Sequence, residues 1–251
     1  FFISTKLTSI SSEYGVVFDS NTSGYIYGGA IYNSGGRSPL TIGDGFVFTN
    51  NYVATSLKNA HGGAICNLIY PISVGAGAVF TGNYASSNSG NAYGGAILGY
   101  SGDSSIYDGS SLTIGAGAMF TGNYASSDSG NAYGGVIYSD GDISFSDGGM
   151  FIGNYAKTSG GAITMGGKCD LLALTKDALF SGNMAGGVVI GQSDDGFPVV
   201  ENGIANAIDM NGFLFSSLYT PNLTLAAEEG REIRFNDPIT SRNEDPGRPM
   251  T

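Results

Sequence analysis

Two short anchors recur along this chain in a fixed order, and that recurrence restricts the fold more than any other feature. Phe-x-x-Asn occurs at Phe18/Asn21, Phe48/Asn51, Phe80/Asn83, Phe120/Asn123, Phe151/Asn154 and Phe180/Asn183. Each is followed by Gly-Gly-Ala/Val-Ile/Val, opening at Gly28-Gly29, Gly62-Gly63, Gly94-Gly95, Gly134-Gly135, Gly160-Gly161 and Gly186-Gly187. A weaker third element, L-T-I-like, precedes the Phe at Leu40–Gly43, Ile72–Gly75, Leu112–Gly115 and Ile143–Ser146. The stretch Phe80–Ile97 returns at Phe120–Ile137 with only Asn88/Asp128 and Ala96/Val136 changed, which duplication of one unit explains.

A unit of about 30 residues with three short β-favouring runs cannot bury its apolar face alone, whereas a stack of such units can. Gly, Asn, Ser and Asp separate the runs, which is turn chemistry. No window carries the 3.6-residue spacing of an amphipathic helix. The expectation is an all-β chain, a parallel β-solenoid of seven to eight coils, a rod roughly 35 Å long at ~4.8 Å per coil. Equivalent residues then lie above one another: Phe in an interior aromatic column, Asn turning the chain and laddering its amide, the Gly pair making a tight corner. The segments "ASSNSGNAY" and "GYSGDSSIYDGSS" read as loops on one side of the rod, where binding usually resides.

Composition narrows the partners. Among 251 residues the formal charge is −11, with only 10 Lys+Arg, which leaves no basic footprint for nucleic acid. There are 42 Gly but only 7 Pro and no G-x-y period, so collagen is excluded. No run approaches the ~20 apolar residues of a membrane-spanning helix. The opening "FFISTKLTS" is too short for a signal peptide, so a processed or truncated piece of a longer protein is expected.

Repeated G-G-A-I and F-x-x-N in one chain resembles the chlamydial polymorphic membrane proteins and the bacterial surface proteins that share their repeat. The segment "LTLAAEEGREIRFNDPIT", Leu223–Thr240, is similar to that family's closing coil. The resemblance implies a right-handed parallel β-helix, exported as an autotransporter passenger and acting as an adhesin or surface-display protein. Family members continue into a middle region and a membrane β-barrel, neither of which is in this sequence.

Sites for chemistry are sparse. Many parallel β-helices are polysaccharide lyases or hydrolases, but Lys6, Arg37, Lys58, Lys157, Lys168, Lys176, Arg231, Arg234, Arg242 and Arg248 flank no acidic cluster. Asp194-Asp195 is the one adjacent carboxylate pair considered for a hydrolase, and its Ser-Asp-Asp-Gly setting is that of a turn. His61, the single His, precedes Gly62-Gly63 where other units carry Tyr27, Tyr93 and Tyr133, so it reads as an occupant of an aromatic slot. Asp108, Asp140, Asp142 and Asp147 match no regular Ca²⁺ loop and are expected to form turns. Cys66 and Cys169 fall about three coils apart, ~14 Å along the axis, too far for a disulfide. With one His and two Cys, no zinc site of usual spacing can be built. Tyr residues are abundant near the corners, and those of the repeated N-Y-A (Tyr84, Tyr124, Tyr155) read as stacked scaffold.

The expected organisation is one β-helix domain over residues 1–240: regular repeats at 15–190, an irregular coil at 191–217, a closing coil at 218–240, then a polar tail at 241–251. The expected function is a non-enzymatic bacterial surface or secreted adhesin, binding a host or matrix protein or glycan through its loops, with no metal or cofactor. Two alternatives stand beside it: a filament stacking head-to-tail through open solenoid ends, and a polysaccharide lyase or hydrolase.

Overall fold

The three motif runs of each unit become three separate strands, each pairing with its equivalent one unit away. The computed structural model describes residues 2–3, 9–13, 15–23, 26–34, 39–100, 111–192, 198–210 and 221–241. Arg37, Asp108, Asp194, Asp195, Arg242, Arg248 and most of the polar tail lie outside them, as do Lys6 and the greater part of "GYSGDSSIYDGSS". Among the described residues every regular element is a strand.

The G-G-A-I sheet runs through Phe2–Ile3, Ile31–Asn33, Ile65–Leu68, Ile97–Tyr100, Ile137–Ser139, Ile163–Met165, Ile208–Met210 and Ile239–Ser241. The L-T-I sheet runs from Ser9–Ile10 to Asn222–Ala227, and the F-x-x-N sheet from Val17–Asp19 to Ile233–Phe235, each with seven strands. All pairings within these three sheets are parallel. Such an array, one unit per coil, is a parallel β-helix.

Register converts sequence identity into columns. Ile31, Ile65, Ile97, Ile137, Ile163, Ile208 and Ile239 are successive partners in one sheet. Phe18, Phe48, Phe80, Phe120, Phe151, Phe180 and Phe235 form a second column, with centroids 4.3 to 5.2 Å apart and interplanar angles of at most 17°. With Leu40, Ile42, Ile72, Ile114 and Phe145 these columns make one continuous core. Each fully buried side chain of this size contributes about 1.5–3 kcal/mol of transfer free energy.

The asparagines form a directional ladder. Asn51, Asn83, Asn123 and Asn154 are fully buried or nearly so. Each side-chain amide donates forward to the next asparagine's Oδ1, at 2.8–3.1 Å from Asn21 to Asn183. The same NH₂ donates backward to the Phe carbonyl of the preceding coil, as Asn83 does to Phe48 at 2.8 Å. Asp237 occupies the final rung, accepting from Asn183 at 2.8 Å. The turn expected at the ladder residue sits one position earlier, as left-handed backbone at Ser20, Asn50, Gly82, Gly122, Gly153 and Gly182. That residue turns the chain, which leaves the asparagine free to stay extended and buried.

At each Gly-Gly corner the two glycines do different work. Gly94 has φ +64°, a conformation costly for other residues. Gly95 lacks that φ, but a Cβ there would overlap the carbonyls of Gly135 and Tyr124. The corner is thus pressed against the backbone of the adjoining coil.

Gly186-Gly187 depart from this role. Val188–Gln192 pairs antiparallel with Pro198–Glu201 as a hairpin, and the corner of that coil is made by Asn206-Ala207-Ile208. The reason lies in hydrogen bonding. In regular corners Gly134 and Gly135 donate to backbone carbonyls of the following coil, Ser159 and Gly160. Gly160 and Gly161 instead donate to the Asn206 side chain, at 2.9 and 3.2 Å, so one amide replaces the missing strand.

Candidate functional site

The segment expected to be a loop, "ASSNSGNAY", is a built structure. Tyr84–Ser87 and Ala92–Tyr93 are strands, paired in parallel with Tyr124–Ser127 and Ala132–Tyr133 on one side. On the other side they pair with Tyr52–Thr55 and Ala60–His61. Three coils therefore push out a lobe with its own small core of Val53, Ala60, Ala85, Ala92, Ala125 and Ala132, all fully buried. The pressed Gly-Gly corner is the neck between lobe and rod. Small side chains fill the lobe because its two strand layers lie close together.

The lobe's turns are tied across coils. Ser87 Oγ donates to the Lys58 carbonyl at 2.7 Å and accepts from the Gly90 N–H at 2.8 Å, a pattern that Ser127 repeats with Gly90 and Gly130. Asn91 and Asn131 N–H groups donate to the Oδ1 of Asn59 and Asn91, each at 2.9 Å. The next coil, "YAKTSGGAI", pairs only Tyr155–Ala156 with the Tyr124–Ser127 strand and is too short to add a further turn. There Lys157 Nζ donates to the carbonyls of Ser127, Asp128 and Gly130, and Thr158 Oγ1 accepts from the Ala132 N–H. One lysine thus satisfies the carbonyl row that a further rung would have covered. At the tip Leu57 is 82% exposed beside exposed Lys58 and Asn59.

Two aromatic columns flank the neck. Tyr52, Tyr84 and Tyr124 stack at 4.9 and 4.7 Å with interplanar angles of 5°. Burial pushes the Tyr84 and Tyr124 hydroxyls upward in pKa, with the neighbouring Tyr of the column adding to it. Tyr27, His61, Tyr93 and Tyr133 form the second column at 5.2, 5.3 and 5.8 Å. It packs over the corner against Tyr32, Cys66, Leu98 and Tyr138. His61 therefore occupies an aromatic slot, its register partner being Tyr93. Its Nδ1 is buried without a partner, and burial pulls its pKa down to about 4.

The other sequence candidates are dispersed. Asp147 accepts from the N–H groups of Leu174, Thr175 and Lys176 and from the Thr175 hydroxyl. Burial opposes its ionisation, yet these donors hold the carboxyl well below the usual carboxylate range. Asp44 and Asp142 cap N–H groups of the following coil, Ala76 and Lys168, each at 2.8 Å. Arg231 lies 3.7 Å from Asp177 and Arg234 lies 2.6 Å from Glu232, all four exposed. Cys66 sits in the outer aromatic cluster and Cys169 in the main core, both free and buried. Burial raises both thiols, Cys169 to about 12, so neither is a ready nucleophile. Among the described residues no three His, Cys, Asp or Glu side chains gather as a metal site, and no helix is long and apolar enough to cross a membrane.

The lobe is what sequence reasoning missed. Its signal was the Ala85/Ala92 pair, repeated at Ala125/Ala132, hidden among Ser, Asn and Gly. The chain matches no curated protein and no solved structure. Residues 15–34, which span Phe18/Asn21 and Gly28–Ile31, match the family model of the Chlamydia polymorphic membrane protein repeat, and the same two anchors recur in the coils that follow.

Proposed function

We propose that this chain is a non-enzymatic passenger displayed on a bacterial surface or released from it, acting as an adhesin for a host or matrix protein or glycan. The observation that carries this reading is the family match at residues 15–34 within a rod of stacked coils. The support is physical as well. The columns that recur along the rod serve stacking, and the lobe stands out from it as a preorganised surface, which lowers the ordering cost of binding. Its exposed tip, with Leu57 and Lys58, is the natural contact region.

The test is binding of the purified chain to epithelial cells, matrix proteins and a glycan array. Saturable binding that falls at least about tenfold in a Leu57→Ser/Lys58→Ser variant supports the reading. Absence of saturable binding on every surface overturns it. The filament alternative has an observation against it: the last rung of the ladder, Asp237, has no side-chain donor to offer an adjoining copy.

A further inference from the structure

Beyond the lobe, the corner column turns polar, and there two buried oxygens are left without partners. Ser159 stands next to Tyr133 in the aromatic slot. Thr164 and Asp209 continue the outer column after Tyr138. Ser159 is 4% exposed, and Thr164 and Asp209 are completely buried. The Ser159 hydroxyl and Asp209 Oδ2 have no hydrogen-bond partner.

Apart from that of the Ser159 hydroxyl, which reaches no acceptor, the protons nearby are already committed. The Thr164 hydroxyl donates to the Ser159 carbonyl at 3.1 Å. The Thr240 hydroxyl accepts from Asn206 Nδ2 at 2.9 Å and lies 3.1 Å from Asp209 Oδ1, the other carboxylate oxygen. Asn206 Oδ1 is occupied by the N–H groups of Gly160 and Gly161. Asp209 takes part in none of the ion pairs formed among the described residues. A completely buried carboxylate oxygen without donor or counter-charge is costly, and such groups are normally paired or bound to a cation.

Register makes Thr164 and Asp209 neighbouring rungs, ~4.8 Å apart, and Ser159 is tied to Thr164 by its carbonyl. The group offers Asp209 Oδ2, Thr164 Oγ1 and Ser159 Oγ: hard oxygen ligands and one negative charge. Thiol and imidazole ligands, which soft and borderline metals favour, are absent from this set. A single carboxylate is balanced by a single positive charge, whereas divalent sites of high affinity gather several carboxylates.

We infer that Asp209, Thr164 and Ser159 form a structural site for a monovalent hard cation such as sodium, which neutralises the buried carboxylate where the aromatic column ends. The test is thermal unfolding of the intact chain at constant ionic strength and pH, in sodium chloride against choline chloride. The wild-type midpoint is expected to rise with sodium concentration, as it must when a ligand binds only the folded state. Asp209→Asn should weaken the apparent sodium affinity at least about tenfold, while being no less stable than wild type in choline. Sodium-23 line broadening should follow the same pattern. Ser159→Ala, which leaves the carboxylate in place, should weaken the response without abolishing it. Equal wild-type midpoints in the two salts, a response only to calcium, or an undiminished response in Asp209→Asn would each overturn the site, the first leaving water or a proton as the occupant.

Discussion

Asn183 donates both its backbone N–H and its side-chain amide to one carboxylate oxygen of Asp237, each at 2.8 Å. The other carboxylate oxygen accepts the Gly182 N–H at 3.0 Å. Each earlier rung passes a side-chain donor forward; Asp237 receives and passes none on. A carboxylate is the right group for a terminal rung because it accepts without leaving an amide donor to be satisfied.

Asp237→Ala should therefore cost about 2–3 kcal/mol, because it strands the two buried donors of Asn183 and removes the acceptor of the Gly182 N–H. Asp237→Asn keeps an acceptor and should cost about 1 kcal/mol. Chemical denaturation of the three proteins gives the ordering. If Asp237→Ala matches wild type, the ladder's final rung is without energetic weight.

The two kinds of glycine can be separated. At Gly77 the φ of +65° is the only obstacle, since nothing lies within 4 Å of an added Cβ. Gly77→Ala should cost about 1–2 kcal/mol from backbone strain alone. Gly95→Ala has to move the Gly135 and Tyr124 carbonyls and should cost more, about 3 kcal/mol, as other overpacked sites do. Hydrogen exchange should locate the damage at the lobe neck in Gly95→Ala only. A uniform loss of protection along the rod would refute that placement.

His61 makes stability depend on pH in a definite direction. Its folded pKa of about 4 lies below the ordinary 6.5, so the unfolded chain binds the proton more readily. Stability is then full above pH 6.5 and falls as the pH drops from 6.5 to about 4, by an amount on the order of 1–3 kcal/mol. Tyrosine already fills this slot in the coils on both sides. His61→Tyr should flatten that part of the profile without unfolding the protein. Parallel pH titrations of unfolding for the two proteins decide it, and identical slopes would count against the assignment.

Lys157 supplies a third kind of end. Lys157→Met keeps the aliphatic stem but strips the charge-assisted bonds from the carbonyls of Ser127, Asp128 and Gly130. The Ser126–Ala132 turn should exchange its amides faster, with a global loss of about 1–2 kcal/mol. The Ser86–Ala92 turn, covered by its neighbour, should change less. Equal exchange in both turns would mean that Lys157 does not hold the lobe closed.

The rod was legible from the chain because every coil repeats the same demand: Phe18 through Phe180 must stack, and only one register lets them. The seventh ring, Phe235, and the terminal Asp237 sit in the closing segment that the resemblance marked. What escaped reading had no chemical accent. Ala85 and Ala92 are too small to announce a core, and the Ser and Asn between them have the composition of an exposed loop although they hydrogen-bond across coils. Gly186-Gly187 repeat the corner motif in letters, but the corner is built by Asn206, whose side chain stands in for backbone. The Asp209 group was invisible for another reason: Asp209 lies 45 residues beyond Thr164 in the chain and meets the Ser159–Thr164 corner only through register.

The near-identity of Phe80–Ile97 and Phe120–Ile137 has a geometric consequence. Their rings, amides and glycine corners present the same atoms upward and downward, so a whole coil can be gained or lost without creating a mismatched surface. Length in such a molecule is an adjustable dimension, stepping by ~4.8 Å per coil. Copying a unit outside the lobe would shift the lobe along the rod and leave its side chains untouched, so its position and its surface chemistry can be varied independently.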